Sequence, residues 1–344
     1  MESLSIKTPA DVLSFVGHTL GFWPKESLVC ITLNHKNMVG ATLRVDLPKS
    51  EEGLFAYAQT VAGYIQKDAN ASTVLFAVYT EKPWEIGEEK PQAHTVAALT
   101  GALAQQGISI RDGLLVGNEA CLPYDGDHLS GPSIPLAATQ SSEINAEFVY
   151  RGSQIEPQGI RLPASTKETL TTDAVLDRME EIRRLPAQEA LDEARALWGS
   201  MLQGKTYPTD EETVSLIASF QFAGIRDRLM ADIPGIDEPM VEVLLAQTEA
   251  KPQWSRVEWA QQLLLHAYTH SSTQHSAALL TTVGYINWWE GRGSKAHQFL
   301  QLALEADPAY RLARLSDQMV AQGMLAPWST DRNKAYGPRG LEAS

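Results

Sequence analysis

The hydrophobic period of this chain changes once, near residue 160, and that change limits the folds open to it. Before it, apolar residues alternate or run continuously in short segments separated by helical stripes. After it they recur at three- and four-residue spacing almost to the end. A strand-and-helix pattern followed by a purely helical one predicts an α/β mixed-sheet N-terminal domain and an all-α helical-array C-terminal domain. The 344 residues suit two domains of about 100–200 residues each. We place the α/β domain at 1–160, the helical domain at 161–326 and a flexible tail at 327–344.

Within the first domain, Thr8-Pro9 supplies an N-cap and a proline at the first helical position. Val12, Leu13, Val16 and Leu20 form the apolar stripe of the helix, and Gly21 stops it. Strands are expected at 27–33 and 38–47, joined by Asn34-His35-Lys36-Asn37, a loop short enough for an antiparallel hairpin. In the second strand Val39, Ala41, Leu43, Val45 and Leu47 point one way, and Thr42, Arg44 and Asp46 the other. Pro48 ends it, and Ser50 is positioned to cap a helix carrying Leu54, Tyr57, Val61, Tyr64 and Ile65. The apolar run 73–79 reads as a central strand covered on both faces. A helix through Val96, Leu99 and Leu103 then leads to a strand near 113–116, which implies crossover connections.

From about residue 122 to 166, prolines and glycines break the pattern into loops around one short helix at 143–150, so the stretch reads as a linker. Beyond it, Thr209 with Glu212 forms a capping box before Val214, Leu216 and Ile217. Short connections between successive helices predict antiparallel neighbours.

Charge excludes some functions. There are 28 Lys and Arg against 42 Asp and Glu, a formal net charge of −14. A nucleic-acid or anionic-membrane surface needs clustered positive charge, so neither partner is expected. No apolar run approaches the roughly 20 residues of a spanning helix, and the polar start Met1-Glu2-Ser3-Leu4-Ser5 does not resemble a signal peptide. A cytoplasmic protein is the expectation. The two cysteines, Cys30 and Cys121, sit in apolar contexts and read as buried free thiols.

The candidate ligand residues gather at the carboxyl edge of the first sheet. Arg44 and Asp46 share a strand face, where a guanidinium can clamp a carboxylate or phosphate and a carboxylate can accept hydrogen bonds. The strand exits through Pro48-Lys49-Ser50 toward a helix N-terminus, which favours anions. Trp23 and Lys25, in the loop before the first strand, complete the set. The alternative reading of Arg44 and Asp46 is a structural ion pair. Trp288 and Trp289 lie about 100° apart on one helix and cannot both face one core, which leaves one for an interaction surface.

Other motifs carry no chemistry in their context. Ser27 lacks the G-x-S-x-G elbow of a nucleophile. His266 and His270 are four apart, but Ala267 replaces the glutamate of H-E-x-x-H, so no metal site is expected. Gly291-Arg292-Gly293-Ser294-Lys295-Ala296 matches a dinucleotide fingerprint only in letters, because no strand precedes it.

The helix pair containing Gly284, Ala296, Leu300, Ala303 and Pro308 resembles a single tetratricopeptide repeat, though the first-helix aromatic residues are missing and no second copy occurs. The chain more widely resembles the bacterial family called domain of unknown function 4192. Four phrases in order carry that resemblance: Leu20-Gly21-Phe22-Trp23-Pro24-Lys25-Glu26-Ser27-Leu28-Val29, Arg44-Val45-Asp46-Leu47-Pro48, Ala146-Glu147-Phe148-Val149-Tyr150-Arg151-Gly152 and residues 288–315. It implies an actinobacterial origin and the same two-part layout, and it brings no activity. Members often carry a Cys-Cys-Pro phrase, of which only Cys121-Leu122-Pro123 stands here.

With no nucleophile, metal set or phosphate loop, the first expectation is a non-catalytic binding or interaction protein with a protein partner, no cofactor and no catalytic residue. The alternative is an enzyme or sensor that binds a small anionic metabolite at Arg44, Asp46, Lys49, Ser50, Trp23 and Lys25.

Overall fold

A computed structural model describes residues 6–84, 88–125, 133–150, 155, 162, 172–331 and 333–336. The first helix, α1 (Pro9–Leu20), starts at a capping box in which Thr8 and Asp11 each accept the other's backbone N–H. It ends at Gly21, whose φ of 78° closes the turn in a region that costs glycine little.

The sheet order is β2-β1-β3-β4-β5-β6. β1 (Ser27–Leu33) is buried along its whole length because it pairs antiparallel with both β2 (Val39–Asp46) and β3 (Thr73–Tyr79). β3 runs parallel to β4 (Ser109–Val116) through the crossover helix α3 (Ala93–Gln105). On one face Leu28, Cys30, Phe76 and Val78 meet α2 (Leu54–Ile65) and α3. On the other, Val29, Ile31, Ala77 and Tyr79 meet α1. The unit is therefore a mixed sheet between two helical layers. Gly113 on β4 lies directly under the Phe76 ring, and a Cβ there overlaps the ring.

Three local expectations change. Ser50 does not cap α2, which begins after Gly53 (φ 79°) with no side-chain cap. β4 starts at Ser109, four residues before the expected 113, because its exposed polar end hides the pattern. The stretch read as linker contributes β5 (Ala120–Pro123), β6 (Ile134–Pro135) and a 3-10 helix (Leu136–Ser141) before the expected short helix, α4 (Glu143–Tyr150). Strands of four and two residues are too short to show alternation, and edge positions tolerate the missing proline N–H. Residues 126–132, 151–154, 156–161 and 163–171 of that stretch lie outside the described residues, as do 332 and 337–344.

The chain divides into two compact units between residues 159 and 160. The second is helical: α5 (Thr172–Arg184), α6 (Ala187–Gly204), α7 (Asp210–Phe220), α8 (Ala223–Asp232), α9 (Met240–Leu244), α10 (Trp254–His270), α11 (Thr273–Trp289), α12 (Gly293–Ala306), α13 (Arg311–Ala321) and α14 (Pro327–Thr330). Thr209 and Glu212 form their capping box at α7. α11 is buried from His275 to Trp289 because α7, α10, α12, α13 and α14 surround it. Gly284 permits the α11–α12 approach, since a Cβ there comes to 2.9 Å from Leu300 Cγ.

Residues 327–331 and 333–336, expected as the start of a flexible tail, hold contacts to this core. Trp328 is fully buried and donates its indole N–H to Thr248 Oγ1 at 2.9 Å. Lys334 Nζ donates to Thr248 O at 2.8 Å, and Tyr336 Oη to Glu258 Oε1 at 2.7 Å.

Candidate functional site

The strand register aligns the strand ends at one sheet edge. Asp46, Ser27, Tyr79, Val116 and Cys121 lie side by side in successive strands. The carboxyl ends of β2, β3 and β4 therefore meet there, together with the loop that enters β1. Ligands in open α/β sheets sit at such edges. A cleft of about 420 Å³ opens on the α1 face of this edge, between Leu13 of α1, Trp23–Glu26, the ends of β3 and β4, and the 3-10 helix.

Buried polar contacts hold its wall. Ser14 Oγ donates to Thr139 O at 2.8 Å, and Ser142 Oγ donates to Ser14 Oγ at 2.8 Å, tying the 3-10 helix to α1. Trp23 packs on Gly17, where a Cβ comes to 3.1 Å from its ring. The lining is largely apolar, with Leu13, Tyr79, Val116 and Leu136 and, at the exposed side, Ala137.

Glu26 stands at the rim. Its carboxylate accepts the Thr80 hydroxyl, 3.0 Å from Oε1 and 3.2 Å from Oε2, and the Glu81 N–H at 2.6 Å. Its backbone is left-handed, with φ 39°, a conformation that L residues hold only when neighbours enforce it. No ion pair reaches this carboxylate among the described residues. Lys25 Nζ instead meets Glu81 Oε1 at 3.5 Å. Tyr79 is 5% exposed and its phenol oxygen has no hydrogen-bond partner among the described residues; burial pushes its pKa well above the ordinary tyrosine value.

Of the six expected ligand residues, Trp23 and Lys25 line the cleft, while Arg44, Asp46, Lys49 and Ser50 do not. Arg44 Nη2 pairs with Asp46 Oδ1 at 2.5 Å, and its Nε donates to Ser27 Oγ at 2.9 Å. Ser27 Oγ donates in turn to Lys25 O at 2.5 Å. The guanidinium thus braces the entry loop from the edge strand. Sequence reasoning missed Glu26, Tyr79, Thr80, Glu81 and residues 136–140. Glu26 stood inside a phrase read as a turn, and the 3-10 helix inside a stretch read as loops.

Trp288 and Trp289, expected to offer an interaction surface, are 5% and 0% exposed. Their indoles donate to Met324 O at 2.7 Å and Leu244 O at 3.2 Å. A helix enclosed on all sides buries both, whatever their angular separation. His266 and His270 have ring centroids 4.5 Å apart, and among the described residues no cluster of three or more His, Cys, Asp or Glu is placed to hold a metal. A second cavity, about 590 Å³, lies toward the opposite sheet edge. Its polar groups are engaged: Arg111 donates to Asn37 at 2.6 Å, and Asp112 accepts the Gly113 N–H at 2.8 Å. No helix among the described residues is long and apolar enough to cross a membrane.

The fold and cleft define a two-part protein, an α/β unit with a preformed cleft at its carboxyl edge followed by a helical array. The model of the family described as domain of unknown function (DUF4192) matches residues 9–326, so the chain belongs to that family. No curated protein and no solved structure matches it.

Proposed function

We propose that this is a non-catalytic binding protein whose N-terminal unit holds a small molecule in the cleft at the carboxyl edge of its sheet. The observation that carries the reading is the cleft itself, about 420 Å³ at the carboxyl edge, with the Glu26 carboxylate fixed at its rim by the Thr80 hydroxyl and the Glu81 N–H. The cleft has the usual composition of a ligand site, an apolar lining with a few polar groups at the rim.

The side chains of the cleft favour binding over catalysis. Among the described residues no His, Cys or Ser lines it. The threonine hydroxyls of its lining, on Thr80 and Thr139, donate to Glu26 and to Leu136 O, so neither is set against a general base. A cytoplasmic setting goes with this reading: Cys30 and Cys121 are unpaired buried thiols whose pKa values burial pushes to about 12 and about 11. The α11–α12 pair serves the helical unit as a tetratricopeptide-like packing device.

Thermal-shift screening of a metabolite library tests the reading. A ligand at about 100 times its Kd adds roughly 2.7 kcal/mol of stability. An Ala137→Trp variant, which fills the cleft, loses that gain. Hits that stabilise this variant as much as the wild type contradict the assignment.

A further inference from the structure

The charges around the cleft are not balanced, and the imbalance points to a ligand class. Three charged side chains line it among the described residues, Lys25, Glu26 and Glu81. Lys25 pairs with Glu81 at 3.5 Å across the exposed rim. Glu26 is held by a hydroxyl and a backbone N–H, which fix the carboxylate without neutralising it. The nearby guanidinium of Arg44 is spent on Asp46 and Ser27. An anion entering here meets the fixed negative charge of Glu26, and Lys25, the one cation among the described cleft residues, is shared with Glu81.

We propose that the cleft selects a small organic cation, an amine or guanidinium carried on an apolar body, with Glu26 as its counter-charge; this rests on reading the cleft as a binding site. Three features converge on that class. The Glu26 carboxylate is pre-oriented, so little ordering cost remains when a charged donor arrives. The Trp23 and Tyr79 rings line the same space, and aromatic faces attract cations. The apolar lining of Leu13, Val116, Leu136 and Ala137 accepts the apolar body.

The test is calorimetric titration of the full chain with three probes that share one body: 2-phenylethylamine, 2-phenylethanol and 3-phenylpropionate. The amine is expected to bind at least tenfold tighter than the alcohol, and the carboxylate more weakly than either. Glu26→Gln keeps an acceptor for Thr80 and removes the charge, so it should cost the amine at least tenfold and leave the alcohol unchanged. Glu81→Gln frees Lys25 and should weaken the amine less. Added sodium chloride should weaken the amine alone, which separates charge recognition from any loss of fold in a variant.

Equal or tighter binding of the carboxylate overturns the ligand class, as does an amine affinity indifferent to Glu26→Gln. If no probe binds, the ligand class falls. The cleft reading falls separately, when the metabolite library also yields nothing that Ala137→Trp excludes.

Discussion

Glu26 and Thr80 are joined by a single hydroxyl shared between both carboxylate oxygens, at 3.0 and 3.2 Å. This contact links the loop entering β1 to the residue that follows β3 and orients the Glu26 carboxylate. Thr80→Val deletes the donor at nearly constant shape. A hydrogen bond to a partly solvated carboxylate contributes about 1 kcal/mol, so urea denaturation should show a loss of that order. Amine binding should weaken with it, since the carboxylate is no longer oriented.

Gly113 has no room for a side chain under Phe76. Gly113→Val should cost about 1–3 kcal/mol by overpacking. In the Phe76→Leu background the cost should shrink, giving a non-additive double-mutant cycle. Additive losses in chemical denaturation contradict the contact.

Trp288 and Trp289 are core residues, each donating an indole N–H to a carbonyl. Trp289→Ala should destabilise the helical unit by about 3–5 kcal/mol, read as a lowered Tm. A folded Trp289→Ala variant with unchanged Tm contradicts their placement.

Glu290 caps α11 with its side chain 1% exposed, and Arg292 Nη1 lies 3.0 Å from Oε2. Burial raises its pKa to about 7; Glu258 adds to the rise, while Arg292 and Lys295 oppose it. The folded state therefore holds this proton more tightly than the unfolded chain does. The stability this contributes is full below the ordinary glutamate pKa and is lost as pH rises to about 7, an effect of at most roughly 3 kcal/mol. Glu290→Gln removes the titration. The Tm of the variant relative to wild type should thus be higher at pH 8 than at pH 5, and a constant difference contradicts the burial.

Elements with a full period were legible in the sequence. The β1–β2 hairpin, the central run 73–79 and the caps at Thr8 and Thr209 follow from local patterns that tertiary structure left intact. The alternation in β2 also placed Arg44 and Asp46 on one face, but their commitment to each other depends on the neighbouring Ser27 across the β1–β2 pair. β5 and β6 escaped notice because they have two to four residues and contain proline. Glu26 escaped because no rule of composition marks a glutamate for a rim position; its partners Thr80 and Glu81 lie more than fifty residues away. The double tryptophan misled because helical angle predicts exposure only for a helix with one covered face.

Amide chemical-shift mapping of the N-terminal unit within the intact chain, with a stabilising library hit added, is the most direct check. Ligand in the cleft should perturb Glu26, Glu81, Asn118 and Gln140 along curves that saturate together and vanish in Ala137→Trp. Shifts centred on Met38 and Arg111, at the far end of the sheet, with the cleft amides unmoved, contradict it.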